Sequence, residues 1–178
     1  MIRRICLCGA SGTGKSTLAA KLFSTFKEDH YSIELVTEYV KPFAYQKRFP
    51  QSYDGVYIFG KQLHAEDVYL RHVNTIITDS PLLLSIVYSK YYHVNFWEHL
   101  IPLMQNVDEK YPPLYFYLHR RDDYDPNGRY QSVEQQIEID EVLIDCMKNY
   151  LPQSNCYYDK LPFDQIVSTI KERIWNEK

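Results

Sequence analysis

Short apolar runs alternate with longer amphipathic segments along the chain, and this alternation is its main structural signal. The apolar runs predict β-strands at 2–8, 31–37, 74–79, 114–118 and 157–158. Apolar residues at helical spacing predict helices at 18–23, 53–71, 81–91, 96–106, 132–147 and 163–175. Strands separated by helices form βαβ crossovers, so we expect an α/β fold: a three-layer α/β/α sandwich around a five-stranded parallel sheet. Such sheets bind ligands at the carboxyl ends of their strands, so the residues after each strand are the candidate site.

The first predicted strand runs into the segment Gly9-Ala10-Ser11-Gly12-Thr13-Gly14-Lys15-Ser16-Thr17, which matches the Walker A pattern G-x-x-x-x-G-K-[ST]. Between a strand and a helix, curled backbone amides and the helix N-terminus form a nest for phosphate. We therefore expect a P-loop NTPase fold with ATP and Mg²⁺ as cofactors. The candidate ATP-binding residues are Gly9, Ser11, Gly12, Thr13, Gly14, Lys15, Ser16 and Thr17. Lys15 would reach the β- and γ-phosphates, and Ser16 would offer its hydroxyl to Mg²⁺.

Composition narrows the class of protein. A length of 178 residues with 45 % apolar content suits one compact domain over residues 1–178. The net charge of −3 gives no sign of a broad nucleic-acid footprint, although a local basic groove stays open. No apolar run approaches the roughly 18 residues that a membrane span needs. Cys6 and Cys8 should be packed thiols, and the cysteine spacing suggests no zinc site, so we expect a cytoplasmic protein.

Acidic residues end the second and third predicted strands. Asp79 follows the apolar Ile76 and Ile77, which predicts a Mg²⁺ carboxylate beside Ser16, with a helix N-cap as the alternative. Glu38 would face the phosphates across the crevice and accept the proton of an attacking hydroxyl; the alternative is a solvated acid at a strand end.

A polar segment at about 120–131 follows the fourth strand and predicts a lid. Arg121 and Arg129 are its candidate catalytic residues, because guanidinium groups match phosphate oxygens. The alternative is an ordinary charged surface loop.

The helix at 53–71 and the loop before it offer candidates for an acceptor pocket. These candidates are Phe43, Tyr57, Gln62 and Glu66, with Glu38 at the reacting end. Gln62 and Glu66 lie one helical turn apart, and a glutamine amide can read a base edge. An exposed helix face is an equally good interpretation.

The whole pattern resembles the small P-loop nucleoside and nucleotide kinases, a resemblance that spans almost the whole chain. It is similar to deoxynucleoside kinases, thymidylate kinases, the NadR-type ribosylnicotinamide kinase domain and the short bacterial and phage chains called AAA-domain kinases. The resemblance rests on the Walker A segment, on Thr37-Glu38-Tyr39 and on Gly128-Arg129 before a helix. It implies Glu38 as base or acceptor ligand, Asp79 as metal carboxylate and Arg129 as lid residue. Asp79-Ser80 departs from it, because thymidylate kinases carry Asp-Arg there and deoxynucleoside kinases Glu-Arg-Ser.

The expected activity is transfer of the γ-phosphoryl group of Mg-ATP to a nucleoside, nucleotide or related small acceptor by a monomer or homodimer. One alternative keeps the chemistry and takes a modified base or an end of DNA as acceptor, which the net charge disfavours. The other alternative is a nucleotide-hydrolysing switch, which would need a water-orienting residue where the chain has Ser80.

Overall fold

A five-stranded parallel sheet forms the centre of the molecule, with strand order β2-β3-β1-β4-β5. The computed structural model describes residues 1–46, 48, 50–120 and 131–174. The strands are β1 (Arg4–Cys8), β2 (Ile33–Val36), β3 (Thr75–Thr78), β4 (Pro113–Tyr117) and β5 (Cys156–Tyr157). All five strands were predicted; β1, β2 and β3 are shorter than the apolar runs that signalled them, and β4 and β5 have the predicted length but begin and end one residue earlier.

Helices connect the strands. Within the described residues these are α1 (Lys15–Glu28), α2 (Lys41–Tyr45), α3 (Asp54–Leu70), α4 (Leu82–Tyr91), α5 (Trp97–Lys110), α6 (Val133–Tyr150) and α7 (Phe163–Arg173). Ser132 caps α6: its hydroxyl accepts from the Gln135 amide, and the Gln135 side chain accepts from the Ser132 amide. The short helix α2 was not predicted, because five residues with a proline carry too little periodicity.

The helices cover both faces of the sheet. On one face, residues of α4, α5 and α6 pack with Tyr115 and Cys8, whose side chains point to that side. On the other face, Leu22 and Phe26 of α1 pack with Ile170 of α7 against the opposite side of the strands. This arrangement confirms the predicted three-layer sandwich. The central strands are buried on both faces, which explains why they read as continuous apolar runs.

The strand register places the loops that follow four of the strands side by side, at the carboxyl ends of the strands. Cys6 lies beside Thr78 on β3, and Cys8 lies beside Tyr117 on β4. Val36 at the end of β2 also lies beside Thr78. Because all pairs are parallel, the loops after β1, β2, β3 and β4 emerge together, as predicted for the site.

At the amino ends of the strands lies a buried charged cluster that was not predicted from the sequence. Arg4, inside an apparent apolar run, is 0 % exposed. Its Nε donates to Glu66 Oε2 at 2.8 Å, and its Nη1 donates to Asp108 Oδ1 at 2.5 Å. The Tyr115 hydroxyl donates to the other Asp108 oxygen at 2.7 Å. We call Arg4, Glu66, Asp108 and Tyr115 the Arg4 cluster.

Two further observations concern membrane insertion and the cysteines. Among the helices that the structure describes, none combines the length and the apolar character that crossing a membrane requires. The cysteines are free thiols: Cys6, Cys8 and Cys146 are buried, as predicted for the first two, and Cys156 is half-buried.

Candidate active site

The glycine-rich loop joins β1 to α1 and curls around a space at the helix N-terminus. Gly12 and Gly14 have φ angles of 86° and 91°, in the left-handed region that side chains disfavour. Gly9 is required for a different reason, since a Cβ there would lie 2.6 Å from Thr13 Oγ1 and 2.8 Å from the Leu118 carbonyl oxygen. The loop can close tightly against the end of β4 only without a side chain at position 9.

Lys15 begins α1 and holds its ammonium group over the loop. Its Nζ donates to the carbonyl oxygens of Gly9 and Ala10, at 2.8 Å each. Thr13 supports the same turn, because its hydroxyl donates to the Ala10 carbonyl at 3.1 Å. The first turn of α1 carries no acidic residue, so the helix dipole and Lys15 together favour an anion here.

Ser16 and Asp79 are in contact at the carboxyl ends of β1 and β3, as a shared role in binding Mg²⁺ would require. The Ser16 hydroxyl donates to Asp79 Oδ2 at 2.5 Å. Asp79 is 3 % exposed, and its buried Oδ1 has no hydrogen-bond partner within the described parts of the chain. The N-cap of α4 is Pro81, so Asp79 is not there to cap that helix. A hydroxyl beside a carboxylate with an unused buried oxygen is a donor set that fits Mg²⁺.

Glu38 follows β2 and lines the same cavity as Lys15 and Ser16. Burial raises the pKa of its carboxyl group, and the charge of Asp79 raises it further. Lys15 and Lys41 act in the opposite direction and lower that pKa. The carboxyl group is thus held between two cations and an acid, in surroundings that disfavour its charged form.

The cavity has a volume of about 390 Å³ and continues from the glycine-rich loop to an arm lined mainly by aromatic and serine side chains. The lining residues of this acceptor arm are Tyr39, Phe43, Ile58, Gln62, Leu84, Ser85, Tyr88, Ser89, Tyr92 and Val94. Tyr39 and Phe43 contact each other edge to face, with ring centroids 5.9 Å apart. An arm of this composition suits a flat ring that carries hydroxyl groups.

The predicted acceptor residues divide into three groups. Phe43 lines the arm. Gln62 also lines it, but is 1 % exposed and already hydrogen-bonded to the protein. Tyr57 and Glu66 do not line the arm. Tyr57 is 46 % exposed, with its hydroxyl 2.7 Å from that of Tyr39, and Glu66 is buried against Arg4.

The sequence reasoning missed the residues of α4 and of its C-cap, Tyr92, that line the arm. Ser85, Tyr88, Ser89 and Tyr92 recur at three- and four-residue spacing, directly after Asp79. Small hydroxyl residues and tyrosines on an otherwise apolar helix were the available signal. Tyr39 was also missed, although it is adjacent to Glu38.

The segment predicted as a lid falls largely outside the described residues, and both Arg121 and Arg129 belong to that part. Arg120 before it is exposed. Gln131 after it lines the cavity, and its Nε2 donates to the Tyr92 hydroxyl at 3.1 Å. The end of this segment is thereby joined to the wall of the acceptor arm.

Fold and site together define a P-loop protein with a nucleotide-binding, kinase-like fold. A family model described as "AAA domain" matches residues 4–154, and the chain belongs to that family. A search of curated proteins finds no match.

Solved structures share the fold at low sequence identity. A NadR protein in complex with NAD and AMP-PNP aligns with a TM-score of 0.71 and 15 % identity, over 96 % of this chain and 49 % of that chain. This chain therefore spans about half the length of that NadR protein. A thymidylate kinase from Ehrlichia chaffeensis aligns with a TM-score of 0.64 and 17 % identity, over 96 % of each chain. A deoxyadenosine kinase from M. mycoides aligns with a TM-score of 0.57 and 18 % identity, over 96 % of this chain and 97 % of that one.

Proposed function

We propose that this protein is an ATP-dependent kinase that transfers the γ-phosphoryl group to a nucleoside, a nucleotide or a related small acceptor. The observation that carries the proposal is one continuous cavity with the Walker A loop and the Ser16–Asp79 pair at one end. The same cavity continues into an aromatic arm, and Glu38 also lines it.

The loop end of the cavity would bind the triphosphate. Backbone amides of Gly12 to Ser16 and the positive end of α1 would hold the β-phosphate, with Gly9, Ser11 and Thr17 completing the loop. Lys15 would exchange its two carbonyl contacts for phosphate oxygens. Ser16 and Asp79 would hold Mg²⁺, which when bound with ATP neutralises charge on the phosphates.

Glu38 would take the proton of the acceptor hydroxyl as that oxygen attacks. A carboxyl group with a raised pKa is a stronger base than a solvated glutamate once it is deprotonated. Lys15 faces the same carboxylate, so the two groups would align the attacking oxygen and the phosphoryl group. Arg121 and Arg129 are proposed to stabilise the charge that develops on the phosphoryl group.

The acceptor arm supports a nucleoside-like substrate. The arm is lined by Tyr39, Phe43, Tyr88 and Tyr92, whose rings would hold a heterocyclic ring. The neighbouring structures point the same way, since they include NadR with NR and a deoxyadenosine kinase with dATP. We propose that residues 1–178 act as a single domain in this reaction.

The proposal is tested by measuring phosphoryl transfer from radiolabelled ATP to nucleosides, nucleotides and short DNA. We expect ATP turnover to depend on a small acceptor. Lys15→Ala should lower transfer by about 10³-fold with little change in thermal unfolding, while Lys27→Ala, on the exposed side of the same helix, should leave transfer unchanged. Glu38→Gln should lower turnover by about 10²–10⁴-fold and affect ATP affinity far less.

Two results would contradict the proposal. ATP hydrolysis that is equally fast without any acceptor would indicate a nucleotide-hydrolysing switch instead. Transfer to DNA alone, with none to nucleosides or nucleotides, would indicate the polymer as substrate.

A further inference from the structure

Gln62 joins the two strand ends that carry the acids of the site. Its Oε1 accepts a hydrogen bond from the backbone amide of Tyr39, the residue after Glu38, at 3.2 Å. Its Nε2 lies 3.5 Å from Thr78 Oγ1, directly before Asp79. The Thr78 oxygen also accepts from the Ser80 amide at 3.2 Å, so this polar bridge flanks Asp79 on both sides.

The orientation of this amide follows from its partners. A backbone N–H can only donate, so the Tyr39 amide must face the oxygen of Gln62 and not its nitrogen. The nitrogen is then directed to Thr78, whose oxygen can accept, and the Gln62 side chain also hydrogen-bonds Glu66 and thereby lowers the pKa of that carboxyl group. The Gln62 oxygen is therefore committed to the protein, and reading a base edge by paired hydrogen bonds would require releasing the Tyr39 amide.

The helix that carries Gln62, α3, is anchored to the sheet by a buried ion pair one turn after Gln62. Glu66, one turn further along α3, is fully buried and bonded to Arg4 at 2.8 Å. Arg4 lies on β1, the strand that leads into the Walker A loop, and also bonds Asp108 of α5. Gln62 thus projects from a helix that the Arg4 cluster anchors to the central strand.

We propose that Gln62 is a positioning residue that sets the separation of Glu38 and Asp79, and that it does not select the acceptor by its base. The inference rests on the proposed kinase activity. Loss of the bridge would release the loop after β2, and Glu38 would no longer lie in line with the phosphates. A misplacement of about 1 Å at a reacting group costs on the order of 10²-fold in rate.

The test uses Gln62→Met, which keeps the length of the side chain and removes its hydrogen bonds to Tyr39 and Thr78, together with the one to Glu66. The matched control is Gln136→Met, because Gln136 is also a buried helical glutamine, 6 % exposed, but lies on α6. We expect Gln62→Met to lower kcat by about 10–100-fold for every acceptor, with similar KM values and an unchanged ranking of acceptors. Hydrogen exchange of the Tyr39 amide should become faster in Gln62→Met and remain as in the wild type in Gln136→Met.

The outcomes separate this inference from the kinase proposal. A raised KM with an altered ranking of nucleobases would overturn it and assign Gln62 to base recognition. Unchanged exchange of the Tyr39 amide would overturn it as well, whatever the activity. Failure of the wild-type protein to phosphorylate any acceptor would refute the kinase proposal, while amide exchange would still decide whether the bridge exists. If Gln62→Met does not fold, Thr78→Val removes one half of the bridge and should give a smaller loss of kcat without a change in KM.

Discussion

Buried carboxylates lie at both ends of the parallel strands: Glu66 and Asp108 at the amino ends, and Asp79 at the carboxyl ends. They differ in the groups that neutralise their charge. In the Arg4 cluster, Glu66 and Asp108 share one fully buried guanidinium group. At the carboxyl ends, Asp79 is equally buried but contacts a serine hydroxyl, and its second oxygen has no hydrogen-bond partner among the described residues. Glu66 Oε1 likewise has no hydrogen-bond partner among the described residues, but its carboxylate is already paired with Arg4, whereas the Asp79 carboxylate contacts only a hydroxyl and is suited to a cation from solution.

Breaking the Arg4 cluster should give the largest change in stability. Arg4→Met leaves the carboxylates of Glu66 and Asp108 buried without a cation, so we expect the free energy of unfolding to fall by about 3–5 kcal/mol. Denaturant unfolding measures the loss. The triple variant Arg4→Met, Glu66→Leu, Asp108→Leu removes every charge of the cluster and should recover much of it. Wild-type stability in Arg4→Met alone would show that the cluster does not stabilise the fold.

Neutralising one carboxylate at each end of the strands, Asp79 or Asp108, sharpens the comparison. Asp79→Asn should lower phosphoryl transfer by about 10²-fold and raise the Mg²⁺ concentration that gives half-maximal activity. Its stability should stay the same or rise, because a buried oxygen without a partner loses its charge.

The matched variant is Asp108→Asn, which should lower the free energy of unfolding by about 1–3 kcal/mol and leave the Mg²⁺ dependence unchanged. The same Mg²⁺ dependence in Asp79→Asn and the wild type would remove Asp79 from the metal site.

The smallest expected effect concerns pH. Burial raises the pKa of Glu38, so the acid limb of kcat/KM should lie above the range in which a solvated glutamate titrates. Lys15, Asp79 and Lys41 act on this carboxyl group. Burial raises the pKa of Tyr88, and the charge of Glu38 raises it further.

Lys41→Met tests this pH dependence, because Lys41 is an exposed residue whose charge lowers the pKa of Glu38. Losing a positive charge favours the protonated carboxyl, so the pKa of Glu38 should rise and the acid limb should move to higher pH by about a few tenths of a unit. Lys61→Met, which changes a lysine on α3 that does not act on this carboxyl group, is the control. Movement to lower pH would contradict Glu38 as the titrating group.

Local signals predicted most of the fold. Apolar runs predicted the strands, and apolar residues at helical spacing predicted the helices, because these features act within a few residues of sequence. The Walker A segment and Asp79 were identifiable for the same reason: a fixed spacing or a strand end determines where they lie.

The partner of each side chain was not predictable. Gln62 and Glu66 occupy the same face of α3, yet one reaches the cavity and the other meets Arg4, 62 positions away in sequence. An arginine inside an apolar strand gives no indication of which distant carboxylate will neutralise it. Tyr88 and Tyr92 were missed because their role depends on where α4 packs and not on a motif.

The packing of the sheet also affects what can be done with the protein in the laboratory. Burial raises the pKa values of the Cys6 and Cys8 thiols, and raises those of Cys146 and Cys156 to about 11. The thiolate is the species that reacts with alkylating reagents, so the native cysteines should react slowly at neutral pH. A cysteine introduced at an exposed position should therefore accept a fluorophore or spin label selectively, without prior removal of the native thiols.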